Sequence, residues 1–288
     1  MRGLHERGIT GRGIGIAIVD QSLLVERWEY ADRLRFYEEI GIGSSEPASM
    51  HGPAVASLAV GRTIGVAPEA DLYYIAAMTG RRGLFGWTYN FHDYAQGVRR
   101  VLEINAQLPA DRKIRVIAIQ VGWEKNQRGY DEITAACAAA KAAGLLVVSS
   151  SIEQVHGLKF HGLGRPPLAD PDRFESYRPG SWWAREFPRF AEHGDRLLVA
   201  MDARTLASHV GTEDYLFSSQ GGWNWSIPYL AGAYCLAARV HPSLTPEKFW
   251  SLALQTGRTT RIEHDGKQLP LGLILNPTAL INALGTAR

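Results

Sequence analysis

Short runs of apolar residues alternate along the chain with longer segments in which apolar positions recur every three or four residues. The short runs predict strands at 15–20, 71–76, 115–121, 145–150 and 197–201. The longer segments predict helices at 52–60, 90–107, 130–143, 225–240 and 246–256. Because strands that alternate with helices form parallel sheets covered on both faces, the predicted class is α/β.

Glycine and proline separate these elements without forming a repeat or a low-complexity block, so we expect a single domain over residues 1–288. The range 153–195 differs from the rest. It is rich in proline, glycine and charge, and it contains aromatic residues such as Trp182 and Trp183. We expect a long excursion over the surface, and long ordered loops usually have a function.

The composition excludes two classes of partner. The chain has 31 Lys and Arg residues against 29 Asp and Glu residues, and this balance argues against a nucleic-acid binder that neutralises phosphates. No apolar run approaches the ~20 residues that a membrane-spanning helix needs. We therefore expect neither a nucleic acid nor a membrane as partner.

The N-terminal sequence favours the cytoplasm, unless a leader was left out, and the cysteines indicate no disulfide framework. The segment MRGLHERGITGRG is polar and lacks the apolar stretch of a secretory signal. Cys137 and Cys235 both lie in alanine-rich segments that predict helices, and one possible pair is not a disulfide framework. We interpret both as buried thiols.

The first candidate chemistry is an acid and a histidine. The strand GIAIVD ends in Asp20, and ligands and catalysis in open parallel sheets are found beyond the carboxyl ends of strands. His51 follows later and stands just before a predicted helix that begins near Pro53. Alone, Asp20 fits a turn-capping acid and His51 a structural histidine. Together they suggest an acid that orients a catalytic imidazole.

Six segments together resemble the subtilisin-like serine peptidases (peptidase S8). GIAIVD, HGPAVAS and GVAPEADLYYI match this family in order and spacing. RVIAIQVGW at 115–123 and GLLVVSSSIE at 144–153 are similar to its substrate-pairing strand and to the strand before its oxyanion site. GGWNWSIPYLAGAYCLA at 221–237 is similar to the turn and helix that carry its nucleophile.

The resemblance implies a three-layer α/β/α fold with a mostly parallel central sheet. It also implies peptide-bond hydrolysis through acyl transfer by an Asp, a His and a Ser. Asp20 would hold the ring of His51 in the correct tautomer. His51 would take the proton of the nucleophile and return it to the leaving amine.

The nucleophile position departs from the family pattern. Four residues before Pro228, where the family has serine, stands Asn224. An amide has neither a readily removed proton nor a nucleophilic nitrogen lone pair, so we expect little or no hydrolysis. Three explanations for Asn224 are open. It is an introduced Ser→Asn substitution, or a natural loss in a pseudopeptidase, or the register differs and Ser226 is the nucleophile. Ser226 would lie about 200° further round the helix.

The oxyanion position departs as well, because Ile152 and Glu153 stand where the family has glycine and asparagine. A carboxyl group donates a hydrogen bond only when protonated, and this requires burial or a neighbouring negative charge. Glu153 is either a protonated donor, as in the related sedolisins, or a solvated residue at a strand end.

The resemblance also implies a substrate-binding segment. Gln120, Val121 and Gly122 align with the strand that pairs with an extended peptide through main-chain hydrogen bonds. The expected partner is therefore an extended peptide or an unstructured protein. Trp123 and Ile152 are expected to fill space near the side-chain pocket, favouring small or slender substrate side chains.

We expect no cofactor and no metal site. His156 and His161 lie five residues apart but have no third ligand at a metal-binding spacing. The family often uses calcium, yet no run of acidic residues can be assigned to that ion.

Overall fold

A computed structural model describes residues 1–42, 48–83, 86–190 and 195–285. Its strands, in chain order, are β1 (Gly15–Asp20), β2 (Leu34–Ile40), β3 (Asp71–Ala77), β4 (Gly80–Gly83), β5 (Gly86–Tyr89), β6 (Ile114–Ile119), β7 (Leu146–Val148), β8 (Lys159–Gly164), β9 (Arg178–Pro179), β10 (Arg196–Ala200), β11 (Arg204–Ala207), β12 (Tyr215–Ser218), β13 (Arg258–His264) and β14 (Lys267–Ile274). Its helices are α1 (Arg2–Glu6), α2 (His51–Val60), α3 (His92–Gln107), α4 (Tyr130–Ala142), α5 (Ile152–His156), α6 (Phe187–Phe190), α7 (Trp223–Val240), α8 (Pro246–Gln255) and α9 (Pro277–Gly285).

The central sheet is parallel throughout, with strand order β2-β3-β1-β6-β7. In register, Gly15 pairs with Asp71 and Asp20 pairs with Ala76, so β1 and β3 end at nearly the same level. This arrangement confirms the predicted α/β class and places Asp20 at the carboxyl edge of the sheet.

Two helical layers cover this sheet because side chains on a strand alternate between its faces. Ile16 and Ile18 of β1 pack in one core with α2 and α7, whereas Ala17 and Val19 pack in another with α3 and α4. Both faces of β1 are thus buried, as the continuous apolar run GIAIVD requires. The predicted three-layer α/β/α architecture is confirmed.

A second sheet has the order β13-β14-β10-β8-β9. The strand predicted at 197–201 is β10, and it lies in this second sheet rather than beside β7. The range 153–195, predicted as a long surface excursion, is not all at the surface. The range contributes β8, which pairs with β10 and is buried from Phe160 to Gly164 because its small and apolar residues fit between neighbouring strands.

Among the strands that the sequence analysis did not predict are β2 and the pair β13 and β14. The hairpin β13–β14 turns at Asp265 and Gly266, both with positive φ, and the Asp-Gly pair is a turn signal that could have revealed it. β2 is only partly buried at the sheet edge, so its apolar pattern is weak.

The cysteine interpretation is confirmed. Cys137 in α4 and Cys235 in α7 are free and buried, and burial raises the pKa of each thiol to about 12. Neither is therefore suited to act as a nucleophile. Over the part of the chain that the structure describes, no helix is both long and apolar enough to cross a membrane.

Candidate active site

Three side chains converge at the carboxyl edge of the central sheet. Asp20 ends β1, His51 begins α2, and Asn224 lies in the first turn of α7. Asp20 Oδ2 lies 2.5 Å from His51 Nδ1, and Asn224 Nδ2 lies 2.9 Å from His51 Nε2. Ser49 Oγ fixes the start of α2 by accepting hydrogen bonds from the backbone N–H groups of His51 and Gly52, each at 3.2 Å.

The alternative register is wrong. Ser226 is fully buried, and its hydroxyl donates to the carbonyl of Ala200 at 3.3 Å. The structure therefore places Asn224, and not Ser226, against the imidazole. Because the amide nitrogen can only donate, the contact requires an unprotonated Nε2, which leaves the ring proton on Nδ1 for Asp20.

Opposing effects set the protonation of His51. Burial lowers the pKa of His51, but the charge of Asp20 and the hydrogen bond to it raise this pKa, and the net direction is upward. Trp225 stacks on the imidazole at 5.3 Å between ring centroids and shields it from water. Tyr94 donates to Asp20 Oδ1 at 3.4 Å, and burial followed by the charge of Asp20 raises the pKa of Tyr94 well above its usual value.

Replacing Asp20 by asparagine should lower the pKa of His51 below the ordinary value of about 6.5, because burial of the ring then acts without its counter-charge. An NMR titration of the His51 ring protons measures this directly. In the wild-type protein the folded pKa is raised. The stabilisation from this contact is therefore complete below the unfolded pKa and is lost as the pH rises through the folded pKa.

Asp111→Asn is the matched control, because it removes one carboxylate from the exposed surface and should leave the His51 titration unchanged. An equal pKa in wild type and Asp20→Asn would contradict the coupling of Asp20 to the ring.

A pocket of about 290 Å³ opens beside the three side chains. Gln120 and Val121 line it together with Asp20, His51 and Asn224. Gln120 is 2% exposed, yet neither its Oε1 nor its Nε2 has a hydrogen-bond partner among the described residues. The pocket is therefore lined by a residue whose amide group is buried and unpaired among the described residues.

Gly122 lies just past the pocket and packs tightly. A Cβ atom added to it would lie 3.0 Å from Ser150 Cβ, and the backbone N–H of Trp123 donates to Ser151 Oγ at 2.9 Å. The expectation that Trp123 and Ile152 fill the substrate side-chain pocket is wrong, since both are buried in the protein core. Bulk beside Gly122 comes instead from the 150–151 backbone and the serine side chains there.

The structure does not meet the condition set for Glu153 as an oxyanion donor. Its side chain is 59% exposed on α5, and Oε1 lies 3.7 Å from the ammonium nitrogen of Lys159. The side chain is therefore exposed, and its ion-pair partner is a cation. The solvated interpretation of Glu153 therefore fits the geometry, and it does not line the pocket beside His51.

The opposite wall of the pocket is aromatic. Trp87 and Tyr89 on β5 line it and remain 44% and 43% exposed. Tyr89 is held flat against Phe91, with ring centroids 5.9 Å apart. Exposed, rigid aromatic rings beside a strand end are typical of surfaces that bind another chain.

Sequence reasoning missed the residues that hold the turn before α7. Asp202 accepts hydrogen bonds from the backbone N–H groups of Gly221, at 2.6 Å, and Ser181, at 2.9 Å. The indole N–H of Trp182 donates to the carbonyl of Gly221. Asp202 follows the end of β10, so the strand-end argument that identified Asp20 could have found it.

The two loop histidines have structural contacts. His156 Nε2 accepts from the backbone N–H of Val147 at 3.2 Å, and His161 stacks on Trp183 at 4.5 Å. Burial lowers the pKa of both to about 4. Across the described ranges, no three His, Cys, Asp or Glu side chains group as a metal site would need. The expectation of no cofactor and no metal site stays a prediction.

No protein-family model matches the chain. Among solved structures, the prenylagaramide maturation protease PagA is 13% identical with a TM-score of 0.66, covering 98% of this chain and 97% of that one. The A-subunit of the AB5 toxin from E. coli gives the same values. A cold-adapted subtilisin-like serine proteinase is 15% identical with a TM-score of 0.61, covering 91% and 88%. The fold is therefore subtilisin-like.

Proposed function

We propose that this subtilisin-fold protein binds an extended peptide at the pocket of Asp20, His51 and Asn224 without hydrolysing it. The observation that carries the proposal is the 2.9 Å contact of Asn224 Nδ2 with His51 Nε2, where acyl transfer needs a hydroxyl group. The exposed position of Glu153 is a second departure from the hydrolytic pattern. Two separate losses favour a natural pseudopeptidase over a single introduced substitution.

Backbone pairing supplies the affinity. The ladder of β6 with β1 ends at Ile119 and that with β7 at Ala118, so the backbone at 120–122 continues beyond the sheet ladder. An extended peptide can add to this segment by main-chain hydrogen bonds, which need no nucleophile. Its side chains would meet Trp87 and Tyr89 on the other wall.

Gln120 recognises the peptide group through hydrogen bonds. A buried amide without partners is costly, about 1–3 kcal/mol, and binding partners recover this cost. A peptide unit offers one N–H and one C=O, which would match the unpaired Oε1 and Nε2 of Gln120 when its side chain turns towards the pocket. The pocket thus favours a chain with an accessible backbone over a compact folded surface.

Replacing Gln120 by leucine should stabilise the unliganded protein and weaken peptide binding at least about tenfold, because it removes the unsatisfied amide and the hydrogen bonds it would form. Thermal melting measures the first effect. Fluorescence anisotropy with fluorescein-labelled β-casein, an unstructured protein, measures the second, and mass spectrometry checks that the casein stays intact.

Gln107→Leu is the matched control, since Gln107 is exposed at the end of α3 and should affect neither measurement. Loss of stability in Gln120→Leu with unchanged casein binding would mean that Gln120 is structural. Absence of any saturable casein binding to the wild-type protein would overturn the proposed function itself.

A second candidate function is peptide-bond hydrolysis by a serine form of the same site. The observation that favours it is the 2.5 Å contact between Asp20 and His51, which acyl transfer would use unchanged. Restoring a hydroxyl group at position 224 separates the two functions.

A further inference from the structure

The largest cavity that we describe, about 660 Å³, lies away from the candidate active site and shares no lining residue with it. Its size is within the usual range for small-molecule sites. Its walls are mainly apolar and aromatic, and include Phe174, Tyr177, Leu198 and Ile274. One wall comes from the 153–195 range, whose length and aromatic content the proposed peptide binding leaves unexplained.

Arg204 lines this cavity without a counter-ion. It begins β11 and is partly buried, and its guanidinium lies over the ring of Tyr229 at 5.5 Å from the centroid. Within the described ranges, no hydrogen bond or ion pair engages this guanidinium. Burial lowers the pKa of Arg204, and the nearby charge of Arg165 lowers it further, while Tyr177 and Tyr229 act in the opposite direction. An unpaired, desolvated cation is costly unless a ligand neutralises it.

The other charged groups around the cavity do not supply the missing anion. Arg165 donates to the carbonyls of Ala169, at 2.6 Å, and Ala203, at 2.9 Å, so its positive charge is not neutralised. Asp172 is already paired with Arg2 at 2.9 Å. The cavity therefore combines an excess of positive charge with apolar walls.

We infer that this cavity binds a small organic carboxylate with an apolar or aromatic body, whose carboxylate group is held by Arg204. The planar guanidinium matches a carboxylate through two parallel hydrogen bonds. The apolar walls would bury the body of the ligand. The ring of Tyr229 packs against the guanidinium of Arg204 and holds the orientation of its N–H groups.

A pair of probes of the same shape tests the inference on the wild-type chain. We expect 4-phenylbutyrate to bind with a Kd below about 1 mM in isothermal titration calorimetry, and 4-phenylbutan-1-ol, which lacks the charge, to bind at least tenfold more weakly. Inorganic phosphate should not compete with 4-phenylbutyrate at equal concentration. Equal binding of acid and alcohol, no binding of the acid at all, or competition by phosphate would each overturn the inference.

Arg204→Met tests the named residue, because methionine keeps much of the length of the side chain and removes the charge. It should weaken 4-phenylbutyrate binding at least tenfold and should not lower the melting temperature of the unliganded protein. Arg185→Met, which removes a charge from an exposed position outside the cavity, should change neither value. Unchanged 4-phenylbutyrate binding in folded Arg204→Met would refute the role of Arg204. Casein binding should be the same in all of these variants, so this test is independent of the proposed function.

Discussion

The Asn224→Ser variant is expected to hydrolyse β-casein on the order of 10²-fold faster than the wild-type protein. Deleting one member of a catalytic triad costs ~10⁴–10⁶-fold in turnover, so restoring the nucleophile regains a large factor. The gain is limited because Glu153, at the oxyanion position, faces solvent beside Lys159. An oxyanion-hole donor at that position would contribute ~10²–10³-fold. In this variant His51, whose Nδ1 lies 2.5 Å from Asp20, would act as the general base.

Two measurements check this expectation. Release of fluorescent peptides from labelled β-casein gives the rate, and mass spectrometry after treatment with a fluorophosphonate shows whether the new hydroxyl group is reactive. Asn224→Ala is the matched control, since it removes the amide without adding a hydroxyl. His51→Ala in the Asn224→Ser background should abolish both signals.

A folded Asn224→Ser variant with neither hydrolysis nor fluorophosphonate labelling would show that Asp20 and His51 do not form a working base. The second candidate function would then be rejected, and peptide binding would remain. Hydrolysis in this variant would show that the Asp20–His51 half of the machinery is intact in a chain that lacks only the nucleophile.

The Gly52→Val variant is expected to lose about 3 kcal/mol or more of unfolding free energy and to separate His51 from Asp20. A Cβ atom at Gly52 would lie 2.5 Å from the carbonyl oxygen of Ser22, 2.8 Å from the hydroxyl of Tyr74 and 3.0 Å from the carbonyl oxygen of Gln21. Two of these atoms are backbone oxygens and the third is the hydroxyl of the fully buried Tyr74, so the start of α2 must move. Chemical denaturation measures the loss of stability.

The displacement of the start of α2 can be measured at His51, because His51 is the residue next to Gly52 on α2. The raised pKa of His51 depends on Asp20 and should fall in any folded fraction of Gly52→Val. Gly3→Val is the control, since a Cβ atom at Gly3 meets nothing within 4 Å and should change stability by less than about 0.5 kcal/mol. Equal stability of Gly52→Val and the wild-type protein would contradict the packing described at the start of α2.

Asp20 and Glu153 illustrate how far local sequence reasoning extends. Asp20 was identified because it is the last residue of a buried apolar strand, and in a parallel sheet such a residue lies at the carboxyl edge. Glu153 follows a similar strand, but Ile152 is buried in the core and begins α5. The start of that helix turns the carboxylate to solvent, and residue spacing alone does not reveal this rotation.

The amino-acid order by itself determined the α/β class and many of the strands and helices, because these depend on local periodicity. It also identified Asp20 as an acid at a strand end, whereas the roles of His51 and Asn224 came from the resemblance to the subtilisin-like peptidases. Only the tertiary structure decided the rest. It placed Asn224 rather than Ser226 against the imidazole, left Gln120 without partners, and brought Arg204 and Tyr229 to one cavity. These features arise where distant segments pack together, and long-range packing leaves no periodic signal in the sequence.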